Sequence, residues 1–243
     1  MNVTLGKPGT FRLDGRDIPF TPGQTIMDAA MAAGEYIPHL CHNPDFAPHG
    51  SCRVCVVGVN GRQMSACTAP ATEGMEVDSS SEEIQSTRRA ILQMLFVEGN
   101  HVCPGCEKSG ACQLQAVAYY VGMLAPHYTH FFPRREVDAS HPDFIIDFNR
   151  CILCELCVRA SRDWDGKRVF AISGRGLQSH LVVDSPSGRL GDSSFATSDK
   201  AAHVCPVGAI LPKHRGYEVP IGERLYDQEP ISEVGDVAEH EEA

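Results

Sequence analysis

The chain opens with two short strand-like runs, "TFRL" and "DIPF", which flank Asp14-Gly15. Both central positions of a two-residue hairpin turn need positive φ, which Asp and Gly tolerate, so this stretch predicts a β-hairpin. The spacing of apolar positions then changes. Ile26, Ala29, Ala30 and Ala33 recur at helical intervals in "TIMDAAMAAG", and Gly34 is placed to stop the helix. After a loop, "RVCVVGV" reads as a strand, Asn60-Gly61 as a second hairpin turn and "MEVD" as a closing strand. Together these predict a small mixed α+β unit ending near Asp78.

The clearest helix lies in "SSEEIQSTRRAILQMLFVEGN". Ser80 and Glu83 have the spacing of a capping box, Ile84, Ile91, Leu92, Leu95 and Phe96 share a face, and Gly99 ends the run. "CQLQAVAYYVG" predicts a further helix. Residues 122 to 143, with "PHYTHFFPRR" and "SHPD", read as a linker or surface loop. "FIIDF", "RVFAIS" and "LQSHLVVD" follow as strands, and no repeat of fixed period appears. Tyr119, Tyr120, Phe131 and Phe132 read first as core or loop residues and second as partner contacts.

Charge narrows the possible partners. The formal total is -10, but residues 218 to 243 hold nine acidic side chains against one arginine, leaving only -2 for the rest. Such an acidic end predicts a solvated, disordered tail. Without a basic stripe the chain does not suit nucleic acid, whose binding depends on phosphate neutralisation. The longest apolar run, "ILQMLFV", is far short of the roughly 20 residues of a membrane span. "MNVTLGKPGT" lacks the basic-then-apolar pattern of a signal segment, so a cytoplasmic, reduced setting is expected.

Eleven cysteines in 243 residues change the picture most. Their spacing divides them into three sets. Cys41, Cys52, Cys55 and Cys67 form C-x10-C-x2-C-x11-C; Cys103, Cys106 and Cys112 form C-x2-C-x5-C; Cys151, Cys154 and Cys157 form C-x2-C-x2-C, and Cys205-Pro206 follows after 47 residues. No cysteine is left over for a catalytic nucleophile. The third set matches the run that bacterial ferredoxins use for cubane clusters, whereas zinc favours two separated C-x2-C pairs. The first set has a longer first gap than the C-x4-C-x2-C of plant-type 2Fe-2S centres, yet it lies in the same helix-to-strand loop; structural zinc is the alternative. Gly50, just before Ser51 and Cys52, would let backbone amides approach the sulfurs. The middle set lacks a fourth thiolate. His101 is the nearest candidate, since imidazole can ligate iron; Asn100, Glu98, a three-ligand site or zinc remain alternatives.

The order of these motifs resembles the amino-terminal iron-sulfur region of the large complex I subunit and of iron-only hydrogenases. In detail, "EGNHVCPGCEKSGACQLQAVAYYVGM", with "IPHLCHNPDF", "GSCRVCVVGVNG" and "CPVGAIL", resembles most the diaphorase small subunits of NAD-reducing, bidirectional nickel-iron hydrogenases, over roughly residues 10 to 225. The resemblance implies an α+β chain: a 2Fe-2S ferredoxin-like (β-grasp) domain at 1–78, a helical 4Fe-4S segment with one histidine and three cysteines at 79–121, a linker at 122–143, a 4Fe-4S ferredoxin-like domain at 144–217 and an acidic tail at 218–243. It implies a non-catalytic electron-transfer subunit holding one 2Fe-2S and two 4Fe-4S clusters. FMN and NAD are then expected on a partner diaphorase large subunit, and the other partner is a hydrogenase small subunit leading to the nickel-iron subunit. "SGRGLQSH" has only the first two glycines of a dinucleotide fingerprint, which agrees with nucleotide binding elsewhere. The same module in an NAD-linked formate dehydrogenase or complex I-like assembly is the closest alternative, and a zinc-stabilised scaffold a distant one.

Overall fold

A computed structural model describes residues 8 to 236 of the chain, which form two compact units dividing between Ile91 and Leu92. In the first, β1 (Gly9–Leu13) and β2 (Arg16–Phe20) pair antiparallel through the Asp14-Gly15 turn, where both residues have positive φ. Phe11, Leu13, Ile18 and Phe20 are buried while Arg12 and Asp17 between them face solvent, the period-two pattern of a half-buried sheet. Helix α1 (Ile26–Ala32) starts at a capping box between Thr25 and Asp28. It stops at Gly34, where Glu35 N–H reaches Ala30 O and Gly34 N–H reaches Met31 O, the paired bonds of a Schellman motif.

Strands β3 (Val56–Val59) and β4 (Arg62–Ser65) form the second hairpin around Asn60-Gly61, and β5 (Glu76–Asp78) completes a five-stranded sheet in the order β2-β1-β5-β3-β4. The β1–β5 pairing is parallel and the others antiparallel. Pro19 fits because β2 is an edge strand, where a missing N–H costs no ladder bond. Ile26, Met27, Ala29 and Ala30 of α1 join the buried cluster of the sheet.

Helix α2 (Glu82–Glu98) begins one residue later than the capping-box reading places it. Asp78 Oδ1 accepts from the amides of Ser80 and Ser81, and Ser81 Oγ then accepts from Ile84 N–H, so Ser81 is the cap. Glu83 turns instead to Gln63 Nε2. The unit boundary falls within α2.

In the second unit α3 (Gln113–Tyr120) is followed by residues expected to be linker, yet β6 (Val137–Asp138) pairs with β7 (Phe144–Asp147), and β10 (Ile210–Pro212) closes a sheet ordered β10-β7-β6. Asp138 explains the difference. Its buried carboxylate accepts from Ser140 N–H and, far along the chain, from Leu190 N–H at 2.7 Å, which ties the supposed loop down. Between β7 and β10 come α4 (Leu156–Arg159) with a π-helical turn after it, the hairpin β8 (Phe170–Ser173) and β9 (His180–Val183), and α5 (Lys200–His203). Phe144, Phe170, Phe195 and His141 meet edge-on as an aromatic centre.

The acidic end departs from the disordered tail expected of it. Residues 218 to 236 hold α6 (Ile231–Val234), whose Ile231 is 0% exposed, and Arg224 grips Asp227 with two 2.8 Å bonds. A single cation and a few apolar side chains outweigh the repulsion suggested by net charge. Residues 237 to 243 of that tail lie outside the described residues.

Candidate iron-sulfur sites

In the first unit Cys41, Cys52, Cys55 and Cys67 are all buried. Cys41 and Cys52 come from the loop between α1 and β3, Cys55 directly precedes β3, and Cys67 follows β4, so the sheet fixes two members while the loop brings two. Cys55 Sγ and Cys67 Sγ are 3.4 Å apart, and Cys52 N–H donates to Cys41 Sγ at 3.4 Å. The loop turns through Gly50 and Arg53, both at positive φ, and the Gly50 amide lies close enough to Cys67 to favour its thiolate. Hydrogen bonding to the Cys41 sulfur, then burial, pushes the Cys52 thiol far up; bonding to Cys55 does the same for Cys67, while the bond from Cys67 brings Cys55 down to about 7. One thiolate per pair is tolerable, but four at such proximity require a cation.

In the second unit the middle set gathers with the predicted histidine. Cys103, Cys106 and Cys112, His101 and Arg150 line one small cavity. A 3-10 turn over Cys103–Gly105 presents the first two cysteines, and Cys112 precedes α3. Burial, reinforced by the Arg150 charge, lowers His101 to about 4, so its imidazole is neutral near pH 7. Its Nε2 is buried with no hydrogen-bond partner, as suits a nitrogen whose lone pair is meant for a metal. The alternatives fare worse: Glu98 is exposed, and Asn100 donates to Pro133 O and Asn149 Oδ1. Burial pushes Cys112 up to about 12.

Cys151, Cys154, Cys157 and Cys205 line a second small cavity, otherwise apolar apart from Glu155. Leu153 and Glu155 have φ of 53° and 61°, so the run coils back on itself and turns backbone N–H groups inward, a shape that favours anions. Burial raises Cys151 to about 11, and burial with the neighbouring thiolates raises Cys157 well above the usual range. None of the eleven cysteines forms a disulfide. Among the described residues no group of three or more His, Cys, Asp or Glu is arranged to hold a single metal ion.

Sequence reasoning passed over four residues. Gly208 separates the two cavities: a Cβ there would lie 2.8 Å from Cys106 Sγ. Arg150 sends Nη1 to 3.6 Å from Cys106 Sγ. Gly99, read only as a helix stop, leaves no room for a Cβ, which would stand 2.6 Å from His101 Nε2. Arg224 donates to Ser109 O, and Tyr226 N–H to Gly110 O, so the acidic end clasps the Cys106–Cys112 loop. Only the adjacency of Arg150 to Cys151 and of Gly208 to the Cys205-Pro206 motif could have signalled the first two.

These sites on small α+β scaffolds define an iron-sulfur electron-transfer protein, and comparison with known proteins gives the same class. A 2Fe-2S iron-sulfur cluster binding domain model matches residues 6–82, the NADH-ubiquinone oxidoreductase-G iron-sulfur binding region matches 88–127, and a 4Fe-4S single cluster domain matches 144–211. The gamma subunit of the NAD-reducing hydrogenase HoxS of Cupriavidus necator is 41% identical over 90% of this chain and 93% of its own length. A crystal structure of an NAD+-reducing [NiFe]-hydrogenase in the H2-reduced state superposes with a TM-score of 0.91 at 54% identity, covering 95% of this chain and 98% of the matched one. The alpha subunit of the NADPH-Fe(3+) oxidoreductase of Geobacter sulfurreducens is 34% identical over 83% of this chain, which spans only 24% of that protein. The chain belongs to the family of iron-sulfur subunits of NAD-reducing hydrogenases.

Proposed function

We propose that this chain relays single electrons between an FMN- and NAD-binding diaphorase subunit and the hydrogenase small subunit, and through it the nickel-iron subunit, in the cytoplasm. In this reading Cys41, Cys52, Cys55 and Cys67 hold one 2Fe-2S cluster; His101, Cys103, Cys106 and Cys112 hold a 4Fe-4S cluster; and Cys151, Cys154, Cys157 and Cys205 hold a second. The observation that carries it is the pair of neighbouring cavities, one lined by Cys151, Cys154, Cys157 and Cys205 and the other by Cys103, Cys106, Cys112 and the candidate His101. Bound there, the clusters would supply reversible one-electron chemistry at low potential.

The chain's own residues supply the conditions. Buried thiols raised above their ordinary values lose their protons only against a compensating cation, so assembly releases protons. Burial keeps His101 neutral and able to ligate. Apolar walls of Ile172, Leu181, Val207 and Ile210 keep water from the third set. The "SGRGLQSH" segment supports nucleotide binding on a partner, because it folds into a 3-10 turn leading to β9 instead of opening a helix that could seat a pyrophosphate. Tyr119, Tyr120, Phe131 and Phe132, expected mainly inside, are exposed instead, and Phe131 and Phe132 are 63% and 73% accessible, which suits a chain covered by partners. Among the described residues no helix is long and apolar enough to cross a membrane.

Metal analysis tests the proposal. Anaerobically purified protein, co-produced with cluster-assembly machinery, should carry about ten irons and ten labile sulfides and no zinc, from the count of ligand sets. Colourless protein that stays EPR-silent after dithionite would overturn it.

A further inference from the structure

Arg150 belongs to one site by its backbone and to the other by its side chain. It directly precedes Cys151 of the third set, yet its guanidinium reaches over to the middle set: Nη1 lies 3.6 Å from Cys106 Sγ and 3.3 Å from Gly208 O. Two carboxylates hold it there, Glu107 at 2.6 Å from Nη1 and Asp147 at 2.9 Å from Nε. Among the described residues lining the middle cavity it is the one permanent cation.

We propose that Arg150 is a positioning residue that raises the reduction potential of the group held by His101, Cys103, Cys106 and Cys112, with Glu107 opposing it. The inference rests on the cluster reading of that site. Reduction adds one negative charge to the cluster, and a fixed cation donating an N–H to a ligand sulfur stabilises the reduced form more than the oxidised one. The placement also favours selectivity. Cys151 adjoins Arg150 in sequence, but the third cavity is lined without it, so the two 4Fe-4S potentials are tuned apart by one side chain. Arginine suits the task because its charge does not titrate and its planar donors can serve a sulfur, a carbonyl and a carboxylate together.

The test is an anaerobic EPR redox titration of the full chain in its complex, with the middle signal identified by its change in a His101→Cys variant. Arg150→Gln should favour the oxidised middle cluster by about tenfold at fixed potential, a fall of about 59 mV for a one-electron couple. Arg150→Lys should fall by less, and Glu107→Gln should shift the other way, while the signal from the third set moves little in all three. A middle potential unchanged in Arg150→Gln at full iron content overturns the inference. Should that variant fail to assemble, a Glu107→Gln potential that is unmoved or lower overturns it as well. Wild-type protein with no iron at the middle set would instead refute the underlying cluster reading.

Discussion

Gly208→Ala isolates the narrow wall between the two cavities. Gly208 is not in the left-handed region, so alanine meets no backbone penalty and should gain about 0.4–1 kcal/mol from the less flexible unfolded chain. The added methyl would lie 2.8 Å from Cys106 Sγ, with Arg150 Nη1 and Lys108 Cβ both at 3.3 Å. Three neighbours at once leave no direction for easy relief, and overpacking of this kind costs about 1–3 kcal/mol. The net expectation is destabilisation of about 1–2 kcal/mol, together with partial loss of iron from the middle site. Gly105→Ala is the control, because its Cβ meets nothing within 4 Å and its φ is also ordinary. The assay is anaerobic urea unfolding followed by iron-thiolate absorbance, with iron counted before the titration. Equal stability and iron content in wild type, Gly208→Ala and Gly105→Ala would refute the argument that this glycine exists for close approach.

Three other outcomes are expected. Arg88, only 1% exposed, donates to Ser79 O, Ser79 Oγ and Val56 O at 2.7–2.8 Å; Arg88→Ala should cost about 3 kcal/mol in chemical unfolding by orphaning those acceptors, and a loss below about 1 kcal/mol would contradict that role. In iron-free protein burial lowers His101 from 6.5 to about 4, so stability is full above pH 6.5 and falls as pH drops towards 4, by about 3 kcal/mol in all; chemical unfolding of iron-free protein across that range should show this component in wild type and not in His101→Cys. Ile231→Ala should cost about 2–5 kcal/mol for a buried aliphatic truncated in place, and protease cleavage within 218–236 as fast as in an unfolded peptide, already in the wild type, would count against a packed tail.

Local chemistry made much of the first unit legible. Asp14-Gly15 and Asn60-Gly61 announce their turns because few residues accept positive φ twice running, and both hairpins form there with the expected strands. In the second unit the structure brings the cysteines of each predicted set to the lining of one cavity. What stayed hidden depends on partners distant in sequence. Arg88 occupies the apolar stripe of α2, a position that reads as surface until the carbonyls of Val56 and Ser79 arrive. Strand β6 is two residues long and exists because Leu190 meets Asp138 from 52 residues away. The acidic end misleads for a related reason: net charge averages over a segment, whereas Arg224 and Ile231 act at single points.

The turn after Cys205 lets one short stretch of backbone serve two sites at once. Along Val207-Gly208-Ala209, a bend running into a turn, the outer two residues line the third cavity and Gly208 lines the middle one. Arg150 and Cys151 repeat the device, one residue to each side. A single backbone thus faces both quartets at two places, and Gln113 N–H bonds to Pro206 O at 2.9 Å to hold α3 against it. The remote position of Cys205 follows from this geometry. A fourth ligand taken from the compact Cys151–Cys157 run would complete one quartet and leave the other without its wall, while a ligand at the head of the turn at 206–209 supplies both. In the proposed relay one stretch of chain would part the two groups at this turn, and a side chain at position 208 would press first on Cys106 Sγ, 2.8 Å from its Cβ.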